Sequence, residues 1–83
     1  MEQVGTVKKY RDGAWGIWIE EQTHLVNVYI QRMGYFRVEF VTSIPKPEEV
    51  SADSPGMMAY IQSTLPIAKV RYKEKWLDDD EEI

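Results

Sequence analysis

The chain has 83 residues, of which 43% are hydrophobic and 12% aromatic, with ten Lys and Arg against fourteen Asp and Glu for a formal net charge of -4. This length makes one domain with a thin core, burying about 60% of the surface its unfolded chain would expose. The absence of cysteine excludes a disulfide framework, a thiolate metal site and a cysteine nucleophile.

No apolar stretch follows a basic start, and no run approaches the roughly 18 apolar residues of a membrane span. The expectation is a cytoplasmic protein without signal peptide or membrane contact, in the host cytoplasm if viral. The charge is segregated. Asp78, Asp79, Asp80, Glu81 and Glu82 hold five of the fourteen acids, which leaves nine acids against ten bases in the rest of the chain. Residues 1–77 therefore read as a single, nearly neutral β-rich binding domain, and residues 78–83 as an acidic, disordered tail.

Residues 4–20 predict a hairpin. Asp12-Gly13 is a two-residue turn signal. A three-residue loop, Arg11-Asp12-Gly13, sorts the faces better, pairing Val7 with Ile17, Gly5 with Ile19 and Lys9 with Trp15. Val7, Trp15, Ile17 and Ile19 then share one face, and Thr6, Lys8, Tyr10 and Trp18 the other. Residues 24–42 predict a second hairpin around Arg32-Met33-Gly34, with Gln31 opposite Tyr35, Tyr29 opposite Arg37 and Asn27 opposite Glu39. That register puts Val26, Val28, Ile30, Phe36, Val38 and Phe40 on one face. Leu25, Asn27, Tyr29, Gln31, Tyr35, Arg37, Glu39 and Val41 fall on the other.

Pro45, Pro47, Glu48, Glu49 and Ser51 mark residues 43–53 as a loop. A short helix follows, capped by Asp53 or Ser54, with Pro55 in its first turn and a stripe of Met57, Ile61 and Leu65 beside Met58. Pro66 is expected to end it. Residues 67–77 then predict a last strand. Ala68, Val70, Tyr72 and Trp76 lie on one face, interrupted by Glu74. Ile67, Lys69, Arg71, Lys73 and Lys75 lie on the other. The layout is β-β-β-β-α-β: mainly β, a small curved antiparallel sheet or a partly open five-stranded barrel with one short helix.

Catalytic equipment is sparse. His24 is the single histidine, so a triad or zinc site has no partners. The pairs Glu20-Glu21 and Glu48-Glu49 are adjacent, and adjacent strand residues point to opposite faces. The five glycines are dispersed and form no phosphate loop. The expectation is a non-enzymatic binding protein without cofactor or metal.

Two patterns suggest binding. Lys69, Arg71, Lys73 and Lys75 on one strand face would recur about every 6.6 Å, a run suited to phosphates. The alternative is an edge strand guarded by lysines. Lys8, Tyr10, Trp18, Tyr29, Tyr35 and Arg37 add rings that stack on bases and cations beside them. Packing or a protein contact is the alternative for the rings.

The run Gly5-Thr6-Val7-Lys8-Lys9-Tyr10, followed by Trp15-Gly16-Ile17, resembles the first strands of cold-shock-type OB-fold nucleic-acid-binding domains. Lys9 and Ile17 stand where those domains prefer aromatics, and residues 53–66 add a helix they lack. The ending Asp78, Asp79, Asp80, Glu81, Glu82 and Ile83 resembles the partner-recruiting acidic tails of single-stranded-DNA-binding proteins, without their Pro-Phe-like tip. The resemblances imply single-stranded nucleic acid bound with little sequence preference, and a tail that recruits partners. The alternative is a protein–protein interaction module, such as a small adaptor or a viral inhibitor of a host protein, anchored on Trp18, Tyr29, Tyr35, Leu25 and Val41. A homodimer through an exposed edge is compatible with both.

Overall fold

The computed structural model describes residues 6–77. The order is β1 (Thr6–Asp12), β2 (Trp15–Glu21), β3 (Leu25–Arg32), β4 (Val38–Pro45), α1 (Pro55–Tyr72) and a π-helical turn (Lys73–Leu77). The strands form one open antiparallel sheet, β1-β2-β3-β4, with no barrel closure. The start of the first predicted strand, including Gly5, lies outside the described residues, as does the tail Asp78–Ile83.

Both predicted hairpins form, but in other registers. β1 and β2 pair Asp12 with Trp15, Tyr10 with Ile17, Lys8 with Ile19 and Val7 with Glu20, so the loop is the two residues Gly13 and Ala14. Gly13 alone takes a positive φ, 64°, which is the glycine-first pattern of a mirror-image hairpin turn. This register turns Tyr10 inward with Ile17 and Ile19 and leaves Val7 57% exposed on the opposite face. The expectation that Val7 joins the core is corrected. β1 is an edge strand whose register follows from the two-residue turn and from Tyr10, not Val7, packing on the core.

In the second hairpin, Val26, Val28 and Ile30 are buried as expected. Their partners are Ile44, Thr42 and Glu39, and a bulge between Val28 and Tyr29 leaves Val41 as the extra residue. The turn is longer than predicted, spanning residues 33–37. Gln31 Nε2 holds it by donating to the Tyr35 carbonyl at 2.7 Å, and the Met33 N–H donates to the Ala14 carbonyl at 2.8 Å. Phe36 is 97% exposed, and Val38 and Phe40 point away from the core.

The larger correction is at the C-terminal end. The predicted fifth strand over 67–77 does not exist: the chain stays helical from Pro55 through Tyr72 and continues as the π turn to Leu77. Pro66 lies inside this helix. An interior proline costs about 3 kcal/mol. Burying a large apolar side chain returns about 1.5–3 kcal/mol, and both Tyr72 and Leu77 lie in the core beyond Pro66. The buried residues Ile61, Leu65, Ala68 and Tyr72 make one helical stripe through the proline, and their packing outweighs the break. Ser54 occupies the N-cap position without a side-chain cap bond. Asp53 is instead bound to Ser51 Oγ and Lys8.

The core lies between the helix and the inner sheet face. One part joins Ile17, Ile19, Val26, Val28 and Ile44 to Ala52, Ile61 and Leu65. The other joins Trp15 and Ile30 to Ala68, Tyr72 and Leu77. Tyr72 stands edge-on to Trp15 at 5.2 Å and donates its O–H to the Arg37 carbonyl at 2.7 Å. The Trp76 Nε1–H and Lys75 Nζ donate to the two oxygens of Glu39, both at 2.9 Å. The connection before α1 is held by Glu21, which accepts the Ala52 N–H at 3.1 Å and sits 3.6 Å from the buried Lys46 ammonium.

Candidate binding face

α1 covers one sheet face only, so the other is open. Register fixes what stands on it. Three rows run across the strands: Val7, Glu20, Asn27 and Ser43; Lys9, Trp18, Tyr29 and Phe40; Arg11, Gly16, Gln31 and Val38. The middle row is aromatic across three adjacent strands. Lys9 Nζ lies 4.7 Å from the Trp18 ring centroid. Tyr29 and Phe40 meet edge to face at 5.7 Å. Phe40 is 53% exposed. Val7, Trp18, Glu20, Tyr29 and Val38 line a shallow recess of about 340 Å³.

Glu20 is the acid of this face. Its Oε1 accepts from Asn27 Nδ2 at 3.1 Å and from the Tyr29 hydroxyl at 3.3 Å. Partial burial, then the Glu20 charge and hydrogen bond, raise the Tyr29 hydroxyl pKa above its ordinary value. Tyr29 therefore stays a neutral donor at physiological pH.

The expected site residues separate. Trp18 and Tyr29 come together as predicted. Tyr35 lies in the turn beyond them. Tyr10 faces inward and packs on the core. Lys8 also faces inward and pairs with Asp53 at 3.0 Å; that hydrogen bond raises the lysine's pKa, while Ser51 first and Lys8 next lower the aspartate's. Arg37 lies over the Trp76 ring at 4.4 Å.

The predicted basic strand face is dispersed, because a helix turns successive alternate residues around its axis instead of aligning them. Lys69 pairs with Asp12 at 2.6 Å and Lys75 with Glu39 at 2.9 Å. Arg71 and Lys73 are exposed and form no ion pair among the described residues. The acidic residues Asp78, Asp79, Asp80, Glu81 and Glu82, with Ile83, lie outside the described residues.

Sequence reasoning missed Lys9 and Phe40, which the observed registers move onto the open face. The signal for Phe40 was present as an aromatic on the strand after Tyr29. Only the bulge at Val41 tells which face it takes.

Among the described residues no helix is long and apolar enough to cross a membrane, and no three potential metal ligands cluster. Comparison with protein-family models, curated proteins and solved structures returns no match.

Proposed function

We propose that the open sheet face binds single-stranded nucleic acid. The observation that carries this reading is the row Lys9, Trp18, Tyr29 and Phe40, three rings on adjacent strands with a cation at the end. Strands lie about 4.8 Å apart, so unstacked bases can meet successive rings, each contact contributing about 1–3 kcal/mol without reading sequence. Lys9 and Arg11, both on β1, supply phosphate contacts along one border. Asn27 and Gln31 offer amides to base edges.

A protein partner is the second reading. Val7, Val38 and the fully projecting Phe36 favour it, since aliphatic side chains among aromatics suit an apolar anchor better than a phosphate chain.

Anisotropy of a labelled single-stranded oligonucleotide, at two salt concentrations and with and without residues 78–83, separates the readings. Nucleic-acid binding predicts affinity that falls steeply with salt and rises when the acidic residues are removed. Trp18→Ala is expected to weaken it by roughly 10- to 100-fold, and Lys9→Ala to lower the salt slope by about one. No binding by either form at low salt sinks the reading in favour of a protein partner.

A further inference from the structure

An acid stands beside the rings of the open face. The row that adjoins the aromatic row holds Val7, Glu20, Asn27 and Ser43. Glu20 follows Trp18 by two residues on β2, on the same side of the sheet and about 6.6 Å along the strand. Asn27 is its partner on β3, and Tyr29 is the partner of Trp18. The carboxylate therefore borders the recess of about 340 Å³ whose other walls are Trp18, Tyr29, Val7 and Val38.

This carboxylate is held in place. Asn27 Nδ2 donates to its Oε1 at 3.1 Å, and the Tyr29 hydroxyl donates to the same oxygen at 3.3 Å. Among the described residues Glu20 has no cationic partner, and its Oε2 accepts no hydrogen bond. On a face that takes a polyanion, such a group repels phosphate. It also loses water when a ring is laid over it. Both costs are offset by an occupant that brings the carboxylate two donors.

Among the nucleobases this requirement selects one. The Watson–Crick edge of guanine presents N1–H and N2–H side by side. Adenine and cytosine set a ring-nitrogen acceptor beside their amino group. Thymine and uracil flank N3–H with two carbonyls. Each of these turns at least one lone pair toward the carboxylate, and a site built for a donor rejects a ligand that lacks it. A cationic ligand would also match the acid, but Lys9 already stands 4.7 Å from the Trp18 ring centroid and repels a second cation there.

Resting on the nucleic-acid reading above, we propose that this recess takes a guanine, its base stacked on Trp18 and its N1–H and N2–H donated to Glu20. Asn27 keeps its bond to Oε1 and fixes the carboxylate. The Tyr29 hydroxyl, which makes the longer bond, turns to the neighbouring O6 acceptor. Oε1 then accepts two bonds and Oε2 one, within the capacity of an ionised carboxylate. The other rings of the row stack bases without distinguishing them, so one position on the face reads sequence and the rest do not.

Anisotropy of the full chain with labelled oligothymidylates tests this, each carrying one central guanine, adenine or hypoxanthine, beside plain oligothymidylate. Guanine is expected to bind about 10-fold more tightly than adenine. Hypoxanthine keeps N1–H and O6 but lacks the N2 amino group, and is expected to fall between them. The guanine-to-adenine ratio is expected to hold at two salt concentrations while each affinity falls, because base-edge contacts release no counterions. Glu20→Gln replaces one carboxylate oxygen with an amide donor and is expected to bring guanine down to the level of adenine. Equal binding of guanine and adenine overturns the inference. So does hypoxanthine binding as tightly as guanine, a result that needs no variant should Glu20→Gln misfold, and so does a guanine preference that survives in Glu20→Gln. In each case binding of plain oligothymidylate leaves the nucleic-acid reading standing. Failure of every oligonucleotide to bind overturns both.

Discussion

The two faces of this sheet use similar side chains for opposite ends. The inner face presents Ile17, Ile19, Val26, Val28 and Ile30 to α1, and all five are buried. The outer face presents Val7, Trp18, Tyr29, Val38 and Phe40, and no described element covers them. Hydrophobicity alone does not distinguish the sets; what differs is the packing partner. The inner set is aliphatic and β-branched, suited to interdigitate with a helix. The outer set is mostly aromatic, with Lys9 and Glu20 among the rings, and such rings offer stacking surface with a polar rim.

Truncations sharpen this contrast. The largest effect is expected at the inner face. Tyr72→Ala removes a fully buried ring, its edge contact with Trp15 and its bond to the Arg37 carbonyl. It is expected to cost about 3–5 kcal/mol in urea unfolding. Phe40→Ala on the outer face is expected to cost less than about 1 kcal/mol. Equal costs would mean that the outer face is covered in solution, as a face-to-face association would do.

The next effect probes the link that seats the helix. Glu21→Ala leaves the Ala52 N–H without its acceptor and the buried Lys46 ammonium without its counter-charge, with only the Thr23 and Pro47 carbonyls still accepting from it at 3.4 Å, for an expected loss of about 2 kcal/mol. An unchanged unfolding midpoint would show that water replaces the carboxylate freely.

The smallest effect is the pH response of the C-terminal turn. Hydrogen bonds from Lys75 first, and then Trp76, hold the Glu39 pKa below its ordinary value. A carboxylate with a lowered folded pKa contributes stability above its unfolded pKa and loses it as pH falls through the folded one. Residues 73–77 are therefore expected to loosen first on acidification below the ordinary glutamate range, read as a loss of amide protection there relative to intrinsic exchange at the same pH. In Glu39→Gln the protection of these amides, relative to intrinsic exchange at each pH, is expected to be low already at neutral pH and flat with pH. An unaltered acid response in that variant would assign the transition to another carboxylate.

Legibility in the sequence was uneven, for identifiable reasons. The alternation in Val26, Val28 and Ile30 is legible because this strand lies under the helix on one face and is open on the other. Trp18 and Tyr29 were placed on the open face for the same reason. The β4 half failed because one bulged residue, Val41, inverts the faces on either side of it, and no local signal marks a bulge. The helical state of 67–77 is hidden because Pro66 is a stop signal in sequence. The spacing Ile61, Leu65, Ala68, Tyr72 continued through it, and the period-two pattern of cations beyond it coincided with a helix whose charges point in several directions.

The sequence by itself determined that this is a small mainly β chain with two glycine-turned hairpins, a helix beginning at Pro55 and acids gathered at the end. These properties follow from local chemistry: alternation, turn residues, capping and proline at the first helical position. Tertiary structure decided the registers, the helical state of residues 67–77 and the identity of the open face. None of those choices is favoured locally, and continuing the helix through Pro66 is opposed locally. Each is settled by which arrangement buries Tyr72, Leu77, Ile30 and Trp15 together, an energy that exists only once the helix lies on the sheet.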